Sequence, residues 1–330
     1  MNILVTGGAG YIGSHMARML IAKGAKVTVL DSLELGHREA VPKEAVFIHG
    51  NTRDKKTLEK CFANPVDAVI HFAAYLFVEE SVADPIKYFQ NNVISPIALL
   101  DTMTQFGCTR IIFSSSAAVY GNPTVVPIPE SHPKNPESPY GLTKWCFEEL
   151  LRVYEKSNSI RSMSLRYFNA AGAALDGSHG EAHKTETHII PLAIASALGK
   201  QTEFSLYGVD YQTRDGSCER DYVHIEDLCA SHMVALDALM NGHKTDVYNV
   251  AIGNGVTNKE LVAQVKKTTG VDFNVKEAPR RRGDPGVLVA DPTKIKKEIG
   301  WNPKYSDLKT IVESAWKWHS SHPNGYENRD

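Results

Sequence analysis

The sequence has no long apolar run, no marked excess of either charge and few cysteines. Its apolar runs fall short of the ~18 residues that a membrane-spanning helix needs, and a net charge of −2 over 330 residues gives no basic surface for nucleic acid. We expect no secretory leader before the first predicted strand, and the five cysteines show no paired spacing. The sequence therefore predicts a cytoplasmic globular protein that binds neither membranes nor nucleic acid.

A glycine-rich segment near residue 10 predicts a phosphate-binding turn. Ile3–Val5 is an apolar run typical of a buried parallel strand, and a helical pattern begins after Gly13. Between them, Gly7, Gly10 and Gly13 have the spacing Gly-x-x-Gly-x-x-Gly. Glycines let the backbone approach a pyrophosphate, and the helix N-terminus offers it free N–H groups. An ordinary glycine-rich turn has the same pattern, so the neighbouring segments decide the interpretation.

Acidic residues follow the second and third predicted strands. Lys26–Leu30 is typical of a strand and ends at Asp31, where a carboxylate accepts hydrogen bonds from an adenosine ribose and repels the 2′-phosphate of NADP. We therefore predict NAD as the cofactor. Asp54 follows the third strand, Val46–Ile48, and either lies against the adenine or caps a helix that begins at residue 55.

Strand-like runs alternate with helical patterns through the first half of the chain. Further runs lie at 68–72, 110–113 and 162–165. The alternation predicts an α/β protein with a Rossmann-type, doubly wound parallel sheet. We expect residues 1–170 to form an NAD-binding domain. Residues 171–330, which contain more loops, are expected to form mainly a smaller C-terminal substrate-binding α/β lobe, with some chain returning to the first domain.

Tyr140 and Lys144 are the main candidates for catalysis. Ser138 and Pro139 are typical of a helix start, which places Tyr140 and Lys144 on one face, one turn apart. A tyrosine that acts as a base near pH 7 needs its pKa lowered by about three units, or roughly 4 kcal/mol, which Lys144 and the positive nicotinamide of NAD⁺ can supply together. Ser116 follows a predicted strand, at the edge where such folds bind ligands. The pattern predicts hydride chemistry at an alcohol carbon; a surface Tyr–Lys pair and a polar loop serine are the structural alternatives.

Six segments resemble the extended short-chain dehydrogenase/reductase family, most closely its sugar-nucleotide epimerases. They are Thr6–Ser14, Phe113–Ser116, Ser138–Lys144, Leu165–Asn169, Glu219–His224 and Pro279–Asp284. The resemblance covers nearly the whole chain, and the last three segments are its most specific part. It implies a homodimer that holds NAD tightly and catalyses reversible epimerisation at C4 of a UDP-hexose through a 4-keto sugar, as in galactose metabolism.

The resemblance also implies the residues of the site. Tyr140, Lys144 and Ser116 would be catalytic. The cofactor would be bound by Gly7, Gly10, Tyr11, Ile12, Gly13, Asp31, Asp54, Phe72, Ala73, Ala74, Asn91, Ser114, Tyr140, Lys144 and Phe168. The UDP-sugar would be bound by Ser116, Tyr140, Asn169, Arg220, Arg281 and Asp284. From the residues alone, the alternatives are that Phe72 is a core residue of its strand and that the two arginines are surface partners of Asp221 or Asp284.

Two positions depart from the family pattern. Some members have a lysine near the nicotinamide ribose where this chain has Leu76, which leaves the retention of NAD open. Some have a tyrosine at the sugar pocket where this chain has Leu288, which predicts room for an N-acetylated sugar. UDP-pentoses and UDP-uronates also stay open as substrates.

Two other classes of protein are weighed against an epimerase. A dehydratase would need an acidic residue beside Ser116, to protonate a leaving hydroxyl, but Ala117 and Ala118 follow it. A non-catalytic NAD sensor would be expected to lack Tyr140 or Lys144, and both are present.

The remaining patterns concern metal binding and association. His179, His183 and His188 lie in an irregular segment without regularly spaced carboxylates, so we predict no metal. The apolar segments Ile97–Leu100 and Phe147–Leu151 either pair across the dimer, as the resemblance implies, or are buried within one chain.

Overall fold

The computed structural model describes residues 1–281 and 284–326. The strands are β1 (Asn2–Thr6), β2 (Lys26–Asp31), β3 (Val46–His49), β4 (Ala68–His71), β5 (Arg110–Ser116), β6 (Arg161–Tyr167), β7 (Asn169–Ala171), β8 (Phe204–Tyr207), β9 (Glu219–Arg220), β10 (Tyr222–His224), β11 (Asp246–Val250), β12 (Val256–Thr257), β13 (Val275–Ala278) and β14 (Val287–Leu288). The helices are α1 (Tyr11–Ala22), α2 (Lys55–Cys61), α3 (Val78–Ala83), α4 (Pro85–Phe89), α5 (Ser95–Gln105), α6 (Pro139–Asn158), α7 (Ile189–Ala197), α8 (Ile225–Met240), α9 (Asn258–Thr269), α10 (Thr293–Ile299) and α11 (Leu308–Ser321). A π-helical turn, Gln90–Ile94, joins α4 to α5.

A seven-stranded sheet in the order β11-β6-β5-β4-β1-β2-β3 forms the centre of the molecule. Each neighbouring pair is parallel, and the predicted strands of the first half provide six of the seven. The direction of winding reverses between β1 and β4, so the carboxyl ends of these strands border the crevice where such sheets bind ligands. The predicted Rossmann-type fold is confirmed.

Helices cover both faces of this sheet because successive side chains of a strand point to opposite sides. Leu4 packs in one apolar cluster with α2, α5 and α6, whereas Val5 packs in another with α1 and α8. The first cluster buries four of the apolar side chains that were considered for a dimer contact, namely Leu99, Leu100, Phe147 and Leu151, whereas Ile97, Ala98 and Leu150 are half-buried. The four buried residues fit the second alternative, burial within one chain, and the dimer stays a prediction.

The C-terminal half contributes a smaller apolar cluster built from α7, α9 and α11. Beside it lie three short sheets, in the orders β10-β7, β12-β9-β14 and β13-β8. From the same half, β11 extends the central sheet next to β6. The division at residue 170 stays a prediction. Of the helices in the described ranges, none combines the length and the apolar character needed to cross a bilayer.

Candidate active site

A cavity of about 330 Å³ lies at the carboxyl ends of the central strands. Its wall contains the predicted residues Gly7, Gly10, Tyr11, Ile12, Gly13, Asp31, Phe72, Ala73, Ala74, Asn91, Ser114, Ser116, Tyr140, Lys144, Phe168 and Asn169. These residues come from distant parts of the chain, so the fold brings the predicted cofactor and catalytic groups to one place. Asn91 reaches the cavity from the π-helical turn, an irregularity that is frequent at functional sites.

The glycine turn is too tight for other residues. Gly7 has φ +72°, and a Cβ there would lie 2.6 Å from the backbone nitrogen of Ala73. A Cβ on Gly13 would lie 2.2 Å from the carbonyl oxygen of Gly7. Gly10 precedes α1, and no side chain accepts a hydrogen bond from the first turn of that helix. These free N–H groups and the helix dipole fit the pyrophosphate of a dinucleotide.

Asp31 supports the glycine turn from the end of β2. Its carboxylate is buried and accepts hydrogen bonds from the backbone N–H of Ala9 at 2.9 Å and of Leu33 at 2.8 Å. Burial raises the pKa of Asp31, and these two hydrogen bonds oppose the shift. Because Asp31 also lines the cavity, it has the position expected of a ribose ligand.

Asp54 lies away from the cavity wall, and the capping alternative explains it. Its carboxylate accepts from the N–H of Lys56 at 3.0 Å and from the hydroxyl of Thr57 at 2.6 Å, at the start of α2. The structure thus shows the helix cap, and the adenine contact of Asp54 stays a prediction. Asn51 and Thr52, just beyond the end of β3, line the cavity instead. Their position directly after a strand was the signal that could have found them.

Tyr140, Ser116 and Lys144 meet at the end of β5. Burial raises the pKa of Tyr140, while a hydrogen bond from the side chain of Ser116 lowers it. Lys144 Nζ donates to the carbonyl oxygen of Ser114 at 2.7 Å and lies 5.8 Å from the centre of the Tyr140 ring. Burial lowers the pKa of Lys144 to about 7, although the carboxylate of Glu148 raises it. Lys144 thus brings positive charge near the phenol of Tyr140, and its hydrogen bond to the end of β5 holds the lysine in place.

A buried polar network behind Lys144 was not predicted. Glu148 accepts a hydrogen bond from Ser115 Oγ at 2.5 Å and forms an ion pair with Arg166. Arg166 also donates to the hydroxyl of Tyr120 at 2.9 Å. The network fixes the strand end that carries Ser116, the predicted catalytic serine. An acidic residue four positions after Lys144 in a helix was the available signal.

A second cavity, of about 180 Å³, adjoins the first through shared wall residues that include Asn169 and Tyr222. Its wall brings together the predicted substrate ligands Asn169, Arg220, Arg281 and Asp284. Arg220 lies 3.6 Å from the carboxylate of Asp284. This ion pair was one of the alternatives from the sequence, but both residues lie in the wall of a cavity. Arg281 stacks over the ring of Tyr207, with 4.3 Å from guanidinium to ring centre. Tyr207 and Asn258 are wall residues that sequence reasoning missed.

The two departures from the family pattern occupy different environments. Leu76 lines the first cavity. Next to it, the hydroxyl of Tyr75 donates to Glu34 at 2.5 Å. Leu288 lies in β14, in register with Arg220 of β9, and packs on a small cluster that includes Val119.

The three histidines of the irregular segment separate into two groups. His179 contacts the hydroxyls of Ser14 and Tyr326. His183 and His188 instead converge with Glu181 and Glu186, so that one ligand atom of each of these four residues lies within 4.8 Å of the others. Two carboxylates that the sequence spacing did not indicate therefore lie beside this pair.

Comparisons with known proteins agree with this geometry. Residues 4–314 match the family described as GDP-mannose 4,6 dehydratase. The UDP-glucose 4-epimerase of Lactobacillus helveticus is 46% identical over 330 residues, which is 100% of both chains. A solved UDP-glucose 4-epimerase from Brucella ovis, in complex with NAD, is 42% identical with a TM-score of 0.93, covering 96% of this chain and 97% of the other. One from Bifidobacterium longum, in complex with NAD⁺ and UDP, is 36% identical with a TM-score of 0.92, covering 98% and 100%.

An identity of 46% over the whole of both chains shows the family of this protein as well as its fold. The chain belongs to the UDP-glucose 4-epimerases, within the extended short-chain dehydrogenase/reductase family.

Proposed function

We propose that the protein catalyses the reversible conversion of UDP-galactose to UDP-glucose, by NAD-dependent epimerisation at C4 of the sugar. The observation that carries this proposal is the position of Tyr140, Ser116 and Lys144 in the wall of the first cavity, which a second cavity lined by two arginines adjoins. The same function is named for the full-length relatives.

The first cavity fits NAD on the residues present. The uncapped first turn of α1 suits the pyrophosphate, and Asp31 suits the adenosine ribose of NAD but repels the phosphate of NADP. When bound, NAD⁺ supplies a hydride acceptor and a positive charge in the cavity. Lys144 leaves two of its N–H groups for cofactor hydroxyls, because one donates to Ser114.

Tyr140 removes the proton of the 4-hydroxyl, beside or through Ser116. Its pKa in this structure lies above the ordinary value because burial outweighs the Ser116 hydrogen bond. The phenolate therefore needs added positive charge, which Lys144 supplies in part from 5.8 Å. The 4-keto sugar stays attached to its nucleotide, turns about that link and is reduced on its other face, while Tyr140 returns the proton.

The second cavity holds the nucleotide part of the substrate in this proposal. Arg220 and Arg281 have the forked N–H groups that suit a diphosphate, and Asp284 suits ribose hydroxyls. Tight binding of the uridine diphosphate leaves the sugar free to turn, because the binding energy comes from groups remote from the reaction.

A second substrate class is favoured by Leu288. Leu288 packs on the same apolar cluster as Phe168, a residue of the first cavity wall. Because a leucine is smaller than the tyrosine that some family members have at the sugar pocket, we infer that N-acetylated UDP-hexoses also react. Elimination is disfavoured despite the name of the matching family, because Ala117 and Ala118 provide no acid beside Ser116.

We also infer a homodimer in the cytoplasm. Ile94 and Val153 are 60% and 57% exposed on the π-helical turn and on α6, which gives those elements an apolar surface for a second copy. The five cysteines are free, which suits a reducing compartment.

The decisive experiment incubates the purified protein with UDP-galactose, with and without added NAD⁺, and follows UDP-glucose by proton NMR. We expect conversion by the wild type and a loss of about 10²–10⁴-fold in Tyr140→Phe. Tyr154→Phe is the matched control, since this tyrosine lies in the same helix but bonds to Asp101 at the surface. Absence of conversion with NAD bound would reject UDP-hexoses and direct the search to UDP-pentoses and UDP-uronates.

Activity without added NAD⁺ would show that the cofactor is retained despite Leu76. The same assay with UDP-N-acetylglucosamine tests the wider range. Conversion that is lost in Leu288→Tyr supports it, whereas conversion of UDP-glucose alone rejects it.

A further inference from the structure

We propose that Glu181, His183, Glu186 and His188 bind one divalent cation, of the Zn²⁺ type, in the wall of the cofactor cavity. The cluster lies in the segment that connects β7 to α7 and is separate from the groups assigned to proton transfer. Glu181, His183 and His188 line the first cavity, and His188 directly precedes α7. His188 also lines the second cavity, so zinc binding is measured in the absence of a UDP-sugar.

The ligand atoms of the four residues lie within 4.8 Å of one another, so small side-chain movements would bring them to tetrahedral coordination. Four ligands at about 2.05 Å from a Zn²⁺ ion stand ~3.3 Å from one another. His183 Nδ1 lies 3.2 Å from an oxygen of Glu181 and 3.4 Å from one of Glu186. His188 Nδ1 lies 3.8 Å from the other oxygen of Glu186. Its hydrogen bond of 2.5 Å to Glu181 is the one shorter separation, and a cation between the two atoms would open it.

The buried nitrogen of His183 is the observation that points to a cation between these four side chains. This Nδ1 is inaccessible to solvent and lies 3.2 Å from an oxygen of Glu181 and 3.4 Å from one of Glu186, in a geometry that completes no regular hydrogen bond with a described residue. An unsatisfied buried polar atom is costly. A cation at the centre of the cluster would satisfy it through the nitrogen lone pair. Glu181 is itself 5% exposed at its side chain, so its carboxylate is also withdrawn from water.

The chemistry of the donors favours zinc over magnesium or calcium. Two imidazole nitrogens and two carboxylate oxygens are a common ligand set for Zn²⁺, whereas Mg²⁺ and Ca²⁺ prefer oxygen ligands alone. Backbone N–H groups of Thr187 and His188 already bond to one oxygen of Glu186 at 2.8 Å. These bonds hold that carboxylate in place, as contacts around metal ligands commonly do.

The position of the cluster indicates a structural role. The carbonyl oxygen of Ala182 bonds to His37 at 2.6 Å, and the carbonyl of Glu181 accepts from the indole of Trp318 at 2.9 Å. The segment therefore bridges the loop after β2, the start of α7 and helix α11. A cation would fix this bridge and, with it, one wall of the cavity.

Zinc binding is measured on tag-free wild-type enzyme with its cofactor bound, after dialysis against EDTA. Titration with Zn²⁺ against a competing chelator should give one site per chain and a rise of several degrees in Tm. Co²⁺ in its place should give the intense visible absorption of a tetrahedral site. Binding of less than one equivalent, or an absorption spectrum typical of octahedral Co²⁺, would overturn the proposal without any variant.

Variants then assign the ligands. His183→Ala and Glu186→Gln should each weaken Zn²⁺ binding by at least about tenfold. Lys184→Ala is the matched control, because Lys184 is exposed in the same segment and is not a ligand. Equal zinc affinity in the wild type and both ligand variants would show that the ion binds elsewhere.

Discussion

Glu148 and Arg166 form a buried ion pair behind the catalytic helix face, and the cost of breaking it can be predicted. Both side chains are 1% exposed. Removal of one partner leaves an uncompensated buried charge, which typically costs about 3–5 kcal/mol. We therefore expect Glu148→Leu to lower the free energy of unfolding by that amount, measured by urea denaturation.

The double variant Glu148→Leu/Arg166→Met provides the control. Because it removes both charges, it should regain most of the lost stability.

The double variant should also change the pH dependence of kcat. Burial lowers the pKa of Lys144, and the carboxylate of Glu148 raises it. The pKa of Lys144 then falls further, and the alkaline limb of the kcat profile moves to lower pH. A single variant as stable as the wild type would contradict this account.

The sequence identifies the site residues whose chemistry depends on the local chain, and it misses those that depend on tertiary contacts. Tyr140, Lys144 and Gly10 follow from helix and turn signals, and all three line the cavity. Asp54 was ambiguous because an aspartate after a strand suits both a ligand and a helix cap. Asp221 was considered as an ion-pair partner, yet its buried carboxylate accepts backbone N–H bonds from Ile252 and Gly253, partners that no local pattern indicates.

At the scale of elements, the contact between α6 and the turn after β5 sets the position of Tyr140. A Cβ on Gly141 would lie 2.5 Å from the carbonyl oxygen of Ala118. Gly141→Ala therefore pushes the first turn of α6 away from the loop that follows Ser116. Since a displacement of about 1 Å can cost ~10²-fold in rate, we expect kcat to fall by about 10–100-fold, measured with UDP-galactose at saturation.

Gly270→Ala is the comparison that separates position from stability. Gly270 ends α9 with φ +71° and has open space around it. An alanine there costs about 1 kcal/mol through the backbone conformation but lies far along the chain from Tyr140. An equal loss of kcat in both variants would show that general destabilisation is responsible.

The predicted elements were most accurate where an apolar run or a helix start was strong. Strands β1 to β6 and the start of α6 at Pro139 follow the sequence prediction. Strand β11 was missed because its stability comes from its position beside β6. Its Asn249 is fully buried and bonds to the hydroxyl of Tyr120 at 2.7 Å, so the polar residue that weakens the strand pattern is satisfied by a distant partner.

At the scale of the whole molecule, the two halves of the chain share one site. The first half supplies the glycine turn and the residues predicted to be catalytic, and the second supplies Arg220 and Arg281, the predicted ligands of the diphosphate. The residues of the first half could be predicted because strands β1 to β6 lie in the sheet in the order that a doubly wound fold requires. The second contribution depends on how short sheets pack beside it, and only the family resemblance indicated those residues.

Buried histidines make the stability of the whole molecule depend on pH. Burial lowers the pKa of His71 to about 3, and those of His224 and His232 to about 4. An unfolded histidine titrates near 6.5, so below this pH the unfolded chain binds protons that the native chain does not. Stability contributed by these groups is therefore present above pH 6.5 and is lost as the pH falls toward 4. Burial raises the pKa of Asp221 to about 6. Below that pH the native chain binds this proton more readily than the unfolded chain, so Asp221 adds stability as the pH falls and partly offsets the histidines.

Replacement of one of these histidines tests the argument. His232 is fully buried, and its Nδ1 lies 2.9 Å from the carbonyl oxygen of Leu228. His232→Gln keeps a polar side chain but removes the titration, so one proton fewer is taken up on unfolding. Between pH 6.5 and 4.5 the fall in unfolding free energy should become shallower by up to ~1.4 kcal/mol per pH unit. Urea unfolding of both proteins at several pH values measures the two slopes, and equal slopes would mean that His232 is protonated to the same extent in the native and unfolded chains.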